Sequence, residues 1–470
     1  MREVGSNVVR TIYPSFIVTV LVGGTMLLAG CQPQPAIPST STAEAVEVAP
    51  TPTAPPETAP ATQAALPLAP TAVVRYVLPA IQLQSIEPAI AGDRGITLGG
   101  IGSDLWHGPG DAPNQFWMIT DRGPNGQVKV KGKNRRTFPV PEFAPAILHV
   151  ETGDGAIKLL QVIPLAASDG APVSGLPNLA NHDDEGYTFD GGSTLPYDPS
   201  GLDTEGLVRT SQGDFWAVEE YAPSLLHIAG DGRVLERIVP QGLDYSAADY
   251  PVAAALPAVY ARRNSNRGFE GIALSPDEQT VYAVLQSPLD NPDKDVRATA
   301  RVTRILALDR ASGALISEYA YVMEPFGAFD PGAVDQTDMK ISGIVALTAD
   351  RLLVLERTDA VARVYAVDLH AATNLLGTRW DDPATVPSLE AAPDLAAAGV
   401  TALPKSLVLD LGGLPAMPAK IEGIAVVDAN TLAFANDNDF DLGGFDSAGN
   451  NQPGGVANEI VVVALDGALK

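Results

Sequence analysis

The chain has one cysteine, few aromatic side chains and far fewer basic than acidic residues among its 470 positions. Because Cys31 is the single cysteine, no intramolecular disulfide contributes to stability. Aromatic residues make up 6% of the sequence, which argues against a protein that stacks nucleic-acid bases. The formal net charge of −26 has the opposite sign to that of a nucleic-acid binder. We therefore expect no nucleic-acid partner.

The sequence also lacks two familiar catalytic motifs. It contains no Gly-x-Ser-x-Gly elbow and no His-Glu-x-x-His pattern. The first absence counts against a hydrolase with that serine nucleophile. Histidines are scarce as well, and His149 and His227 occupy the same place in a repeated strand, where we expect them to pack.

The N-terminal residues have the pattern of a bacterial lipoprotein signal. Arg2 and Arg10 precede an apolar run that ends in Leu28-Ala29-Gly30-Cys31, a lipobox. We predict that residues 1–30 are a signal peptide and that the thiol of Cys31 carries the lipid. An ordinary signal peptide with a chance cysteine is the alternative, but no other cysteine occurs in the chain.

Residues 31–72 are rich in proline, alanine and threonine and contain few large apolar side chains. Such a segment cannot bury enough surface to fold, and we expect an extended tether. The predicted location is therefore the cell envelope, on the extracytoplasmic side, with membrane contact only through the lipid anchor. We expect a monomer.

A two-strand signature recurs along residues 73–470. The copies are Asp203-Thr204-Glu205-Gly206-Leu207, Phe269-Glu270-Gly271-Ile272-Ala273, Ile421-Glu422-Gly423-Ile424-Ala425 and, less complete, Ile341-Ser342-Gly343-Ile344. After each copy a turn leads to an apolar strand that ends in polar residues. The intervals from Glu205 to Glu219, from Ser342 to Glu356 and from Glu422 to Asn436 are equal. Repeated hairpins with repeated polar ends predict a radial array around one axis.

Third and fourth strands are recognisable after most copies, separated by Asp-Gly and Ser-Gly turns. Four strands per repeat predict an all-β domain, a β-propeller with four-stranded blades. Five blades carry a recognisable motif, and the stretch 164–202 is either an insertion or a sixth blade. We predict that an N-terminal strand, Val73 to Leu83, completes the last blade beside Glu459 to Leu465 and closes the ring.

The repeated acids are the strongest candidates for a functional site. Carboxylates crowded at an axis repel one another unless they are protonated or bind a cation, and calcium prefers oxygen ligands. The competing interpretation is a turn in which each glutamate caps main-chain amides. The repetition of the motif together with matching acids on the second strands favours the functional site. The candidate metal ligands are Asp121, Glu205, Glu219, Glu270, Glu356, Glu422 and Asn436. Glu220 or Asp437, if not coordinated, is the candidate general base.

Scarce basic residues lie beside these acids. The candidate substrate-binding residues are Arg122, Arg267, Arg357 and Lys420. Arginine forks match the geometry of phosphate or carboxylate, which favours a small anionic or ester substrate. A ring of ion pairs that relieves repulsion is an equal alternative, and both arrangements are compatible.

Five motifs along the domain carry a resemblance to a known family: Asp121-Arg122-Gly123-Pro124-Asn125, Asp203-Thr204-Glu205-Gly206-Leu207, Phe269-Glu270-Gly271-Ile272-Ala273, Lys420-Ile421-Glu422-Gly423-Ile424-Ala425 and Asn436-Asp437-Asn438-Asp439. As a set they resemble the phytase-like domain family, also described as esterase-like activity of phytase, over nearly the whole domain. The resemblance implies an exported propeller with calcium-dependent phosphoester or ester hydrolase activity. The domain is also distantly similar to β-propeller phytases and, by architecture, to lactonase propellers with one axial calcium.

We therefore expect a lipid-anchored, calcium-dependent hydrolase, with phosphate esters as the leading substrate class and metal-activated water as the nucleophile. An ester or lactone hydrolase of the same architecture is one alternative. A non-catalytic surface propeller that binds a ligand and holds a structural calcium is the other, because one fold supports many functions.

Overall fold

The computed structural model describes residues 67–180, 182–415 and 417–469. The predicted signal peptide, Cys31 and nearly all of the predicted tether lie outside these residues, so the lipid anchor stays a prediction. Every helix in the described part falls short of the length and apolar content needed to cross a membrane.

The described residues are organised mainly in short strands. The first thirteen are β1 (Pro70–Val77), β2 (Asp104–Trp106), β3 (Gln115–Ile119), β4 (Gly126–Val130), β5 (Lys133–Thr137), β6 (Ala146–Gly153), β7 (Ala156–Pro164), β8 (Gly186–Tyr187), β9 (Thr204–Arg209), β10 (Phe215–Glu219), β11 (Ser224–Ile228), β12 (Val234–Pro240) and β13 (Val252–Leu256). The remaining thirteen are β14 (Phe269–Leu274), β15 (Thr280–Leu285), β16 (Val302–Asp309), β17 (Leu315–Val322), β18 (Lys340–Ala346), β19 (Arg351–Arg357), β20 (Ala362–Asp368), β21 (Lys405–Asp410), β22 (Ile421–Asp428), β23 (Thr431–Asn436), β24 (Leu442–Phe445), β25 (Asn451–Pro453) and β26 (Glu459–Leu465).

Helices are short and lie between strands. The α-helices are α1 (Leu83–Ile86) and α2 (Phe326–Phe329). The 3₁₀ helices are Ala258–Arg262, Lys294–Ala298, Gln336–Asp338, Arg379–Asp381 and Asp439–Asp441.

The strands form four-stranded antiparallel units arranged around an axis. The units are β2-β3-β6-β7, β9-β10-β11-β12, β14-β15-β16-β17, β18-β19-β20-β21 and β22-β23-β26-β1. The inner strands β2, β9, β14, β18 and β22 contact one another in a closed ring. The first and last units are further joined by one parallel bridge between Val77 and Ala156. The molecule is therefore a β-propeller, as predicted.

An N-terminal strand closes the ring. β1 pairs antiparallel with β26, with Val73 opposite Val463. This confirms the predicted closure, although the strand begins at Pro70 and ends at Val77, because Leu83 already belongs to α1. Closure leaves the last sheet without an open edge beside β26.

The stretch 164–202 contributes no four-stranded sheet in its described residues. Its one named strand after β7 is β8, which pairs parallel with β5. The stretch is thus an insertion that lies against the β4–β5 hairpin, another insertion between the second and third strands of the first unit.

Glycines at the start of the inner strands allow the ring to be narrow. A Cβ added at Gly271 would lie 2.9 Å from the Cα of Gly343, and one added at Gly423 would lie 2.8 Å from the main-chain nitrogen of Leu105. The first unit has Asp104 at the equivalent place, and its buried carboxylate accepts a hydrogen bond from the amide of Leu207 at 3.0 Å. Tight approach of the inner strands brings the residue before each glycine to the axis.

Apolar side chains fill the space between neighbouring units. Val208 and Val218 of one unit pack with Ile272 and Ala283 of the next in a single buried cluster. Each interface of this kind buries its own layer, which lets a large ring form without one central core.

Candidate functional site

A β-bulge recurs at the start of four inner strands. The pairing between first and second strand skips one residue in each unit, at Glu205, Glu270, Ser342 and Glu422. A bulge re-aims the extra side chain, which otherwise would follow the strand's alternation. The same bulge in each of the four units gives these residues the same orientation, toward the axis.

Two consecutive residues lie at the end of the second strand of each unit, such as Glu219 and Glu220, and strand alternation turns the second of them toward the axis. Residues that occupy the same place at the end of these strands line a common cavity: Asp121, Glu220, Gln286, Arg357 and Asp437. The preceding residue in each case points to the opposite side, because successive side chains of a strand alternate.

The cavity has a volume of about 180 Å³ and opens at the end of the ring where the inner strands β9, β14, β18 and β22 begin. We call this the cavity end. All of its lining side chains are polar or charged: Asp121, Arg122, Asn125, Arg136, Glu205, Glu220, Asn266, Arg267, Glu270, Gln286, Lys340, Arg357, Lys420, Glu422, Asp437 and Asp439. Such a lining suits a small, strongly polar group.

Three glutamates from three different units meet at the centre of the cavity. Glu205, Glu270 and Glu422 each place a carboxylate oxygen within 4.8 Å of the other two, and all three are buried. A second group shares Glu205 and adds Asp203 and Glu220. One oxygen of Glu270, Oε2, is buried without a hydrogen-bond partner among the described residues.

Burial raises the pKa of these central carboxyl groups, and repulsion between neighbouring carboxylates adds to the effect. The pKa values of Glu205 and Glu270 lie well above the usual range of glutamate. The pKa of Glu422 rises to about 7, because Arg357 partly offsets the cost of burial. Crowded carboxyl groups of raised pKa are typical of a site that binds a cation or handles protons.

Two acids at the cavity wall have different electrostatic surroundings. Burial and Asp203 raise the pKa of Glu220 to about 7, while Arg122 opposes them. Burial alone would raise the pKa of Asp437, but the Nζ of Lys420 at 2.8 Å lowers it below the usual range. Of the two predicted bases, Glu220 is therefore better suited to accept a proton near neutral pH.

Among the four units with the bulge, the one that has Ser342 in place of the glutamate supplies a cation. Arg357 is buried, donates from Nε to the Oγ of Ser342 at 2.6 Å and pairs through Nη2 with Glu422. The same Nη2 lies 4.0 Å from Oε1 of Glu270. The smaller Ser342 occupies the place of the inner glutamate and leaves room for the arginine side chain. Arg357 thereby reaches two of the three central acids.

Two more predicted anion-binding residues also contact acids of the cavity. Arg122 Nη2 lies 2.6 Å from Asp203 Oδ2 and 3.0 Å from Glu220 Oε2. Lys420 Nζ lies 2.8 Å from oxygens of both Asp437 and Asp439. Arg267 lines the cavity as well. Ion pairing at the axis, which sequence reasoning left open beside substrate binding, is thus present.

Three residues predicted as metal ligands lie behind the cavity wall. The carboxylate of Glu219 accepts from Arg237 Nη2 at 2.6 Å, and that of Glu356 accepts from Lys405 Nζ at 2.9 Å. The Nδ2 of Asn436 donates to a main-chain carbonyl at 3.1 Å. The prediction is corrected for these three, because strand alternation turns them away from the axis and their oxygens already have partners.

Four lining residues escaped sequence reasoning: Asn125, Arg136, Asn266 and Gln286. Gln286 follows β15 in the place that Glu220 holds after β10, so the repeat itself carried a usable signal. Arg136 lies on the β4–β5 insertion, which has no counterpart in the other units, and no sequence repeat predicts its position. Asp203, the first residue of the motif copy Asp203 to Leu207, pairs with Arg122.

The residues present fit a hard divalent cation. Calcium takes six to eight oxygen ligands in flexible geometry, and the central donors are carboxylates from separate strands. The unpartnered Oε2 of Glu270 is the kind of buried oxygen that a cation would satisfy. Oxygen-only donors favour calcium or magnesium over zinc.

Comparisons with known proteins identify a family whose model matches most of this domain. A family model described as "Phytase-like: Esterase-like activity of phytase" matches residues 96–440. An uncharacterized secreted protein of Arthroderma benhamiae is 28% identical over 322 residues, which are 59% of this chain. The chain spans 62% of that relative's length.

Solved structures with a similar arrangement share little sequence with this chain. Aldose sugar dehydrogenase from Streptomyces coelicolor, in its PQQ-bound form, has a TM-score of 0.31 and 10% identity, covering 84% of this chain and 100% of that one. The calcium-binding protein regucalcin from Agrobacterium tumefaciens has a TM-score of 0.30 and 12% identity, covering 79% of this chain and 96% of that one. At these values the likenesses carry no argument about function.

Proposed function

Because the chain belongs to the phytase-like family, whose model matches residues 96–440, we propose that it hydrolyses phosphate esters in the axial cavity with the help of calcium. The observation that carries the proposal is the meeting of Glu205, Glu270 and Glu422 with one oxygen left unpartnered, beside Arg357. A cation held by the three glutamates would lie next to an arginine that matches the charge of a phosphoryl group.

Each part of the cavity has a role in this proposal. Glu205, Glu270 and Glu422 would hold calcium, which when bound supplies polarisation of a substrate oxygen and acidification of water. Arg122, Arg267 and Arg357 would orient the phosphoryl group and stabilise the charge that develops on it, and Lys420 would contribute a further positive charge. These cations are already placed by ion pairs and hydrogen bonds, so little reorganisation is needed when substrate binds.

Glu220 is the proposed general base. Its carboxylate lines the cavity and is held through one oxygen by Arg122 at 3.0 Å. It would take a proton from the water that adds to phosphorus, while the bond from phosphorus to the alcohol oxygen breaks. The alcohol leaves with a proton from solvent, so the products are the alcohol and inorganic phosphate.

A phosphate ester suits the cavity better than a carboxylic ester with an apolar acyl group. The lining offers four arginines and two lysines but no apolar side chain to receive such a group. The family description leaves both ester classes open, and the same assay distinguishes them. A lactone or other polar ester remains the nearest enzymatic alternative.

We also propose that the enzyme works outside the cytoplasm, lipid-anchored through Cys31. The lipobox Leu28-Ala29-Gly30-Cys31 supports this, and the relative from Arthroderma benhamiae is itself named a secreted protein. Labelling with radioactive palmitate would test the anchor, with Cys31→Ser as the unlabelled control.

The deciding experiment measures calcium binding and hydrolysis on the same preparations. We expect calcium to raise the melting temperature in a chelator-stripped sample more than magnesium does, by mass action on the folded state. Hydrolysis of p-nitrophenyl phosphate should depend on calcium and exceed that of p-nitrophenyl acetate. Glu270→Gln should remove the calcium shift and the activity together.

Glu236→Gln serves as the matched control, because it makes the same change on β12, away from the cavity. Full turnover by the Glu270→Gln variant would refute the proposal. A calcium shift without hydrolysis of either substrate would favour the non-catalytic binding propeller instead.

A further inference from the structure

The β4–β5 hairpin has the opposite charge to the rest of the protein. Residues 126–137 contain five of the chain's 30 lysines and arginines and no acidic residue, in a protein of net charge −26. Lys129, Lys131 and Lys133 are exposed near its tip. A positive segment of this kind attracts anions. The surrounding protein is acidic, so the hairpin differs from it in the sign of its charge.

The hairpin lysines are not neutralised by neighbouring acids. Within the described ranges, Lys129, Lys131 and Lys133 take part in none of the ion pairs. By contrast, Lys340, Lys405 and Lys420 each pair with a carboxylate at 2.8–2.9 Å. Lysines left without a partner in a chain with 56 acidic residues are available to a ligand.

The hairpin is held in place and is continuous with the cavity. Arg135 donates to the carbonyl of Gly191 and lies over the ring of Tyr187. The adjacent Arg136 lines the cavity and donates from Nη1 to Asn125 Oδ1 at 2.9 Å. One arginine of the hairpin thus anchors it to the insertion, and the next forms part of the cavity wall.

Strand register carries the positive charge outward from the cavity. Gln127 is opposite Arg136, and Lys129 is opposite Asn134 two residues further along. Side chains two residues apart share a face of a strand, so Lys129 lies on the face that Arg136 begins, about 7 Å farther out. Lys131 follows at the tip.

The cavity is small beside a chain of several phosphates, with a volume of about 180 Å³. A terminal phosphoryl group with its adjoining atoms fits inside, and the rest of an extended substrate would lie outside the mouth.

From this geometry we propose that the β4–β5 hairpin binds the outer anionic groups of an extended substrate that carries several phosphates, while one phosphate lies in the cavity. This inference rests on the proposed function. It assigns the substrate class as a linear polyanion, because Arg136, Lys129 and Lys131 follow one another along the hairpin away from the cavity.

The continuity of the hairpin with the cavity favours a substrate over a lipid surface. Arg136 lines the cavity and shares its face of the hairpin with Lys129.

The test compares two triple variants of the full chain that remove the same charge. One is Lys129→Gln/Lys131→Gln/Lys133→Gln, and its control is Lys158→Gln/Arg262→Gln/Lys294→Gln, whose sites are exposed and outside the cavity lining. Binding of a short inorganic polyphosphate and of inorganic phosphate is measured by calorimetry without added calcium, which polyphosphate would chelate. Thermal melts establish that both variants fold like the wild type.

We expect the wild type to bind polyphosphate more tightly than phosphate. The hairpin variant should lose roughly tenfold in polyphosphate affinity, about the effect of three exposed charges, and its affinity should fall less steeply with added salt. The control should behave like the wild type. Equal polyphosphate binding by both triple variants would overturn the inference, as would a wild type that binds polyphosphate no more tightly than phosphate.

Two further outcomes separate this inference from its premise. Vesicles of phosphatidylglycerol that retain the wild type but not the hairpin variant, without any polyphosphate binding, would overturn it in favour of a lipid surface. Hairpin-dependent polyphosphate binding in a chain that hydrolyses no phosphate ester would support the hairpin as a polyanion-binding surface and refute the proposed function.

Discussion

Glu219 and Glu220 are neighbours at the end of one strand, yet they belong to two different regions. Glu219 lies in the layer behind the cavity wall, where Arg237 binds it and both side chains are fully buried. Glu220 lies in the wall itself, where it shares Arg122 with Asp203 and sits in one group with Glu205. Behind the wall Glu219 has Arg237 to itself, whereas in the wall Asp203 and Glu220 share Arg122. Glu270 and Glu422 likewise share Arg357.

The difference shows how the fold distinguishes structural from functional carboxylates. A buried ion pair with further hydrogen bonds is complete, as also for Glu356, which accepts from Lys405 and from the hydroxyl of Tyr321. A buried carboxylate without its own cation is stabilised when it binds a proton or a metal ion. Removing one partner from a complete pair or one acid from the wall should therefore have different consequences.

Arg237→Met should lower the free energy of unfolding by about 3–5 kcal/mol, because it leaves the charge of Glu219 buried without its cation. Urea denaturation measures the loss. The double variant Arg237→Met/Glu219→Gln should recover most of it, since neither charge then remains. A loss that persists undiminished in the double variant would show that packing of the arginine, rather than the ion pair, is responsible.

Glu220→Gln should reduce phosphoester turnover by about 10²–10⁴-fold, the usual contribution of a general base, while the calcium-induced melting shift remains. Glu219→Gln provides the matched comparison one residue away. It should lower stability because Arg237 loses its counter-charge, and any loss of turnover should follow the loss of folded protein. Equal turnover in the Glu220 variant and the wild type would remove Glu220 from the mechanism.

Glu87 offers a third case, a carboxylate outside both regions. It accepts one hydrogen bond, from the amide of Ala144 at 3.1 Å, and its Oε1 has no partner in the described part of the chain. Burial raises its pKa from 4.5 to about 7. Folding thus favours the protonated form, so its stability contribution is complete below pH 4.5 and is lost as the pH rises to about 7.

Glu87→Gln should therefore weaken the decline in stability between pH 5 and pH 8, by up to about 3 kcal/mol for a pKa shift of this size. Chemical denaturation of the wild type and the variant at both pH values measures the difference. Parallel pH profiles of the two proteins would show that Glu87 keeps an ordinary pKa in the folded state.

Glu270→Gln should raise the melting temperature of the calcium-free protein, a gain of about 1 kcal/mol, because one of the three crowded central acids is removed. The sign is opposite to that expected for Arg237→Met or Glu219→Gln, which break a complete pair. Scanning calorimetry in chelator tests it. A destabilised Glu270→Gln variant would mean that this glutamate is as well satisfied as Glu219.

Much of the ring was predictable because repetition is a property of the sequence. The glycine after each inner acid, such as Gly271 after Glu270, marks the place of closest strand approach. The Lys and Arg residues near the motifs were predictable for the same reason. The choice between Glu219 and Glu220 was not, because it depends on strand register, and a shift of one residue exchanges the two faces.

The positions of side chains on inserted segments could not be predicted from the repeat. Arg136 enters the cavity wall from β5 of the inserted hairpin and Asn125 from the residues just before β4, and no other unit repeats this hairpin. Only their packing against the rest of the ring determines where their side chains lie.

The sequence by itself determined that strands would repeat around an axis and that acids would gather at one end of it, because equal spacing produces equal positions in a ring. Tertiary structure alone decided which acids received a cation. Arg237 comes from the fourth strand of its unit and Lys405 from that of another, so their pairing with Glu219 and Glu356 depends on strands brought together by folding. The glutamates at the axis lie beyond the reach of those outer strands, and this leaves the cavity with charge that a ligand can neutralise.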